Sequence, residues 1–311
     1  PLPHPPPPDH YTFSASSAAS DVYKRQDLVR GLIGAAVAVS AWSTGTVLAK
    51  GIEMGGLAIG AYRFAFFSIA IVIWLWRNGT PFRFRIIRDS MAGGIALGAD
   101  IAFFFSAVKL TSIVNATVIG SLQPIVVGIV AARFFGEQIR SRDAMWALLA
   151  LAGVVVVVVS GGSDSPSDWR GDLLAVGAMF SWSAYFIASR ESRNRMTSYE
   201  FTAGTAIWTT AICIPLGFLL GQDMSWPSTK NILLILLMAA TAGVVGHTVM
   251  NWSLVRIPLW VGSTFTLLIP VVSAILAWVF LDEPLSAAQA AAIAVVIGSL
   301  TMIVRAQSRP T

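Results

Sequence analysis

Two ionisable side chains, Asp100 and His247, lie well inside long apolar stretches of the chain. Such a group is costly in a lipid-like surrounding and usually faces a cavity or a partner. A carboxylate there suits an anchor for an amine or a cation, and an imidazole, which changes charge near neutral pH, suits proton coupling. The plainer reading of both is a hydrogen-bonded structural pair or a solvated cavity wall. Asp100 precedes Lys109, and His247 precedes Arg256, by the same number of residues. That is ~13 Å of helix, close to the midplane of a ~30 Å hydrocarbon core. Both are therefore expected to line a central cavity.

Other candidates surround these two. Asn251 lies one helical turn after His247 on the same face, placed to orient the imidazole, to bind a solute, or to bond a neighbouring helix. Gln123, just before Pro124, is a candidate for reading a polar group of the solute. Trp42, Trp182 and Tyr185 are candidates for an aromatic wall, which would stack on an apolar or aromatic solute or attract a cation. With Trp at 11 residues, packing and interfacial belts are the competing use. Arg63 is ~9 Å inside its apolar stretch, where it binds a carboxylate, snorkels to the interface or completes a structural pair. Pro124 and Pro270 each remove a backbone donor and free a carbonyl one turn earlier, giving either a gating hinge or a static kink. Glu137 and Glu283 sit at helix ends in corresponding loops and read best as caps that lock those loops.

The elements that must position these residues follow from composition. The chain has 311 residues, is 55% hydrophobic and only 12% charged, with a mean hydropathy of +0.71. Soluble domains carry roughly a quarter charged residues, so a polytopic all-α membrane protein is expected. Stretches of about 20 apolar residues fall at 29–49, 57–76, 90–109, 114–134, 143–160, 172–190, 200–220, 231–253, 259–280 and 286–305. The β-branched run Val154–Val159 would suit a buried strand, but the membrane context makes it helix. Residues 1–27, rich in Pro and then Ser and Ala, read as a disordered cytoplasmic tail or an assembly artefact outside the fold. No apolar stretch precedes Leu28, so a cleaved signal peptide is not expected.

Basic residues set the orientation. With both termini in the cytoplasm, Arg77, Arg83, Arg85, Arg88, Arg133, Arg140, Arg142, Arg190, Arg193, Arg195, Arg256 and Arg305 fall inside, whereas Lys50, Lys109, Arg170 and Lys230 fall outside. This is the positive-inside pattern, so the basic pI signals topology rather than nucleic-acid binding. Cys213 is the single cysteine and has no disulfide partner in the chain. Walker A, His-Glu-x-x-His and Gly-x-Ser-x-Gly patterns are missing, so neither an enzyme nor a metal or cofactor is expected. The expected partners are a small-molecule substrate, the lipid bilayer and protons, with the chain acting as a monomer.

The two halves repeat. Gln123-Pro124 through Gly136-Glu137 matches Ile269-Pro270 through Asp282-Glu283, and the two prolines and the two glutamates are separated by the same interval. Phe105 to Lys109 matches Trp252 to Arg256, Ala41-Trp42-Ser43 matches Ser181-Trp182-Ser183, and Tyr62-Arg63-Phe64 matches Tyr199-Glu200-Phe201. Each unit, 28–161 and 171–306, holds five stretches. Five is odd, so the second copy must lie upside down in the membrane, which gives two near-equivalent packings and a site at the midplane between repeats.

These paired motifs, with Arg63-Phe64 early in the second stretch, resemble the EamA domain, found twice in ten-helix transporters of the drug/metabolite transporter superfamily. The resemblance covers about residues 28–305. It implies two inverted five-helix repeats and an inner-membrane carrier of small metabolites, most often an exporter of amino acids, drugs or related compounds. On that reading the chain exports an amino acid or an aromatic or amine compound by alternating access, driven by protons or by the cargo's own gradient. An importer, an exchanger or a membrane sensor without flux are the other readings.

Overall fold

The computed structural model describes residues 10–161 and 168–308, and among them every regular element is helical. Ten helices are long and apolar enough to cross a membrane. Span 1 is Arg25–Lys50, span 2 Gly56–Arg77, span 3 Met91–Leu110, span 4 Ile113–Phe134 and span 5 Ser141–Ser160. Span 6 is Trp169–Ser192, span 7 Ser198–Leu219, span 8 Thr229–Leu254, span 9 Leu259–Leu281 and span 10 Ala287–Gln307. The Val154–Val159 run lies inside span 5 as helix. Trp76, Phe134 and Leu219 are 73%, 77% and 78% exposed, an apolar outer surface suited to lipid rather than water.

Upstream of span 1 the helix continues back to His10. Residues 10–27, expected to form a disordered tail, are thus helical, while the Pro-rich residues 1–9 lie outside the described part. Between His10 and Leu28 there is no Pro or Gly. Extending an existing helix adds a hydrogen bond per residue without a new nucleation cost, so nothing in that stretch ends it.

The packing exchanges the two halves. Span 3 lies along span 6, and span 8 lies along span 1; span 3 also packs on span 7, and span 8 on span 2. Span 4 meets span 6 as span 9 meets span 1, while the pairs 2–7, 4–9 and 5–10 map onto themselves. Each of these contacts has its counterpart when spans 1–5 are swapped for 6–10, the pattern of a pseudo-two-fold axis. Two inverted five-helix repeats therefore build the bundle.

Three spans depart from a continuous α-helix. Span 4 breaks between Gly120 and Gln123, just before Pro124. Span 9 passes through a short 3-10 turn, Phe265–Leu267, just before Pro270. In each case the proline stands in the first turn of the second half, where its missing N–H costs least. Span 8 is different: Ala239–His247 is wound as a π-helix, a form rare in proteins and frequent at functional sites.

Candidate functional site

The π-wound stretch ends on His247, which is 2% exposed. Aromatic rings enclose it. Trp42 of span 1 meets it edge-on at 5.3 Å between ring centroids, and Phe67 of span 2 stacks on it at 5.8 Å. Phe64 lies 5.6 Å away, Tyr185 of span 6 5.7 Å and Trp182 6.2 Å. Trp42 and Trp182, the repeat equivalents, touch each other at 5.1 Å. The two tryptophans and Tyr185 thus share one box with His247, built where spans 1, 2, 6 and 8 meet.

The box is closed below by a hydrogen-bond chain whose directions are fixed by its ends. The Thr202 hydroxyl donates to the Ser198 carbonyl at 2.7 Å, so towards Asn251 it accepts, at 2.9 Å. That places the Asn251 amide nitrogen on this side, and Nδ2 also donates to the Tyr185 oxygen at 2.8 Å. Its Oδ1 accepts from Ser189 at 2.8 Å. The Tyr185 proton is then free for His247 Nδ1, 3.2 Å away. Nδ1 therefore accepts, and the imidazole carries its proton on Nε2. Neither His247 Nε2 nor Trp42 Nε1 has a protein hydrogen-bond partner among the described residues. The box thus offers two ring N–H donors and a lining of aromatic faces.

Close approach of backbone holds this geometry. A Cβ on Gly246 would lie 2.5 Å from Trp42 Cδ1 and 2.6 Å from its Nε1, so only glycine lets the indole lie against span 8. Hydroxyls continue the seam between spans 1, 8 and 9: Thr44 bonds Thr241 at 2.9 Å, Ser43 donates to the Ile269 carbonyl at 3.2 Å, and Thr46 bonds Ser273 at 2.7 Å.

Asp100 is not in the box. Span 3 packs on spans 6 and 7, whereas the π stretch of span 8 packs on spans 1 and 2, and no hydrogen bond, ion pair or ring contact joins Asp100 to His247. Arg63 of span 2 adjoins Phe64, one of the rings of the box. It makes no ion pair with Asp100 within 4.0 Å, its Nε is buried without a partner, and its guanidinium lies 4.5 Å over the Phe64 ring. Gln123 is fully buried at the break of span 4, and its side-chain amide meets the Thr266 hydroxyl of the span 9 turn at 3.2 Å. It ties the two helix breaks together rather than joining the aromatic box.

The two glutamates behave differently. Glu137 accepts from the backbone N–H of Leu259 at 2.8 Å and of Trp260 at 3.1 Å, capping the start of span 9, and pairs with Arg190 at 3.4 Å. Arg190 also donates to the Leu254 carbonyl at 2.7 Å. Glu283 pairs with Lys50 and caps no helix among the described residues.

Comparison with known proteins joins this geometry to a family. The model of the EamA-like transporter family matches residues 29–159 and again 169–305, the two halves that the packing exchanges. The chain belongs to the EamA-like transporter family. It is 23% identical over 282 residues to the threonine/homoserine exporter RhtA of Escherichia coli K12, covering 88% of this chain and 92% of that protein. It is 30% identical over 155 residues to the aromatic amino acid exporter YddG of Ancylobacter novellus, covering 49% of this chain and 52% of that one. A solved crystal structure superposes with a TM-score of 0.78 at 22% identity, over 90% of this chain and 99% of that chain, which shows the shared fold.

This EamA-like transporter therefore builds its aromatic box from both repeats, with Trp42 from one and Trp182 from the other. The sequence alone marked Phe64 only as part of a repeat and family motif, not as a site residue, and did not mark Phe67, Ser189 or Thr202. The aromatic run Phe64 to Phe67 beside Arg63 was the available signal. The π winding has no local sequence mark beyond Gly243 and Gly246.

Proposed function

We propose that this transporter carries small metabolites bearing a carboxylate and an apolar or aromatic side group, with amino acids as the leading class, and moves them outward by alternating access. The observation that supports this most is the pair of unpartnered ring donors, Trp42 Nε1 and His247 Nε2, inside an aromatic box. Donors without acceptors favour a cargo that brings oxygen acceptors, because an unmet buried donor such as Trp42 Nε1 is costly. The surrounding rings favour an apolar or aromatic side group. The exporters of threonine, homoserine and aromatic amino acids among its relatives agree with this class and with outward flux. His247 also suits proton coupling: a proton arriving at Nδ1 displaces the hydrogen bond from Tyr185 and so disturbs the chain through Asn251. Asp100, which no hydrogen bond, ion pair or ring contact among the described residues joins to His247, serves as an accessory charge rather than the cargo's anchor. By the positive-inside pattern, the ends holding Arg190 and Arg256 face the cytoplasm of a bacterial inner membrane.

The test is a thermal-shift and proteoliposome flux screen of amino acids, amines and organic acids. Carboxylate-bearing compounds should stabilise and move, and His247→Ala should abolish both effects. Equal responses to amines that lack a carboxylate would overturn the donor-led site.

A further inference from the structure

Glu137 and Glu283 are set up alike but used differently. Each follows a residue in the left-handed region, Gly136 with φ 66° and Asp282 with φ 54°. Each donates its backbone N–H back to an equivalent alanine, Glu137 to Ala131 at 3.1 Å and Glu283 to Ala277 at 3.3 Å. The two acids thus leave their helix ends at the same attitude. Their basic partners also correspond, because the interval that carries Trp42 to Trp182 carries Lys50 to Arg190. Yet the Glu137–Arg190 side chains are only 10% and 14% exposed, while those of Glu283 and Lys50 are 50% and 53% exposed.

The difference lies in the seat each acid faces. Pro258 precedes span 9 and has no side-chain acceptor to offer, so the N–H groups of Leu259 and Trp260 rely on Glu137. Ser112 holds the matching position before span 4, but its hydroxyl accepts only from Asn115. Among the described residues, no side chain accepts from Ile113 or Val114, the counterparts of Leu259 and Trp260. Among the described residues one seat is filled and its twin is empty. Each seat belongs to the repeat that does not supply its acid, so each latch bridges the two repeats at one end of the bundle.

We propose that Glu137 with Arg190 and Glu283 with Lys50 are alternating latches. In the opposite conformation Glu283 seats its carboxylate on the N–H groups of Ile113 and Val114, while Glu137 leaves those of Leu259 and Trp260. The present structure is the state latched at the Glu137 end. Charge-assisted bonds to backbone N–H groups at a helix start are strong when buried, whereas a half-exposed ion pair holds little. The end that is seated is therefore the end that is closed. This inference rests on the alternating-access reading above and assigns the residues that switch it.

The test uses the full chain in nanodiscs and needs no cargo. Spin labels on Gln138→Cys with Asn194→Cys report the Glu137 end, and labels on Lys109→Cys with Pro284→Cys report the other; all four positions are exposed, and the native Cys213 is buried. Losing a charged acceptor of this kind should shift a two-state population about tenfold. E137Q should lengthen the Gln138–Asn194 distance and shorten the Lys109–Pro284 distance, whereas E283Q should deplete that second state. A purely structural Glu137 would lower stability and leave the distances at the far end unchanged, which overturns the proposal. Two populations in the parent protein that ignore both substitutions overturn the latches and leave the carrier reading standing. A single population at both ends in every variant overturns both.

Discussion

The Tyr185 hydroxyl meets Nδ1 of His247 at 3.2 Å while its oxygen accepts from Asn251 at 2.8 Å, so one phenol links span 6 to span 8 twice. Replacing it with Tyr185→Phe keeps the ring and removes both bonds. The Asn251 amide and the imidazole each lose a partner in a buried setting, a cost of about 1–3 kcal/mol. The midpoint of thermal unfolding in detergent should fall accordingly, and Asn251→Ala, which also strands Ser189, should fall further. An unchanged midpoint for Tyr185→Phe would show that the hub contributes nothing.

Gly246→Ala tests the close approach of span 1 to span 8. The new methyl would press on the Trp42 indole at 2.5 Å, and relieving such overpacking typically costs about 1–3 kcal/mol. Because Trp42 must turn away, cargo affinity should drop along with stability. A variant that binds cargo as tightly as the parent would mean that Trp42 does not touch it.

Asp100→Asn should weaken transport less than His247→Ala does, because no hydrogen bond, ion pair or ring contact among the described residues joins Asp100 to the box around His247. Initial rates of flux in proteoliposomes, measured for both variants in parallel, give the comparison. A larger loss at Asp100 would return it to the centre of the site.

Topology is checked by thiol labelling. Cys213 is fully buried, so the parent chain should resist a water-borne maleimide. Lys230→Cys should react from the periplasmic side and Arg193→Cys only after the membrane is opened. The reverse pattern would invert the orientation drawn from the basic residues.

Much of the architecture was readable from the sequence because hydropathy and turn residues act locally. The span ends predicted at 57–76 and 259–280, for example, fall next to the observed Gly56–Arg77 and Leu259–Leu281. Pro124 and Pro270 marked the breaks for the same reason. What escaped depends on contacts between distant segments. Asp100 and His247 align by counting residues, but an equal count fixes an equal depth along two helices, not the neighbours that each side chain meets. Glu137 was expected to cap, yet its seat on Leu259 and Trp260 is set by the meeting of two repeats, which no local pattern reveals. The tail expected to be disordered was read from composition, and the helix of span 1 simply runs on through it to His10.

The π winding of span 8 carries a consequence for where His247 points. An α-wound version of the same segment would swing the imidazole round the helix axis, since one residue of slack corresponds to about 100° of rotation. At its finish the span is held to span 6 by Arg190, which donates to the Leu254 carbonyl. The rings gathered around His247 therefore depend on the π winding that aims it.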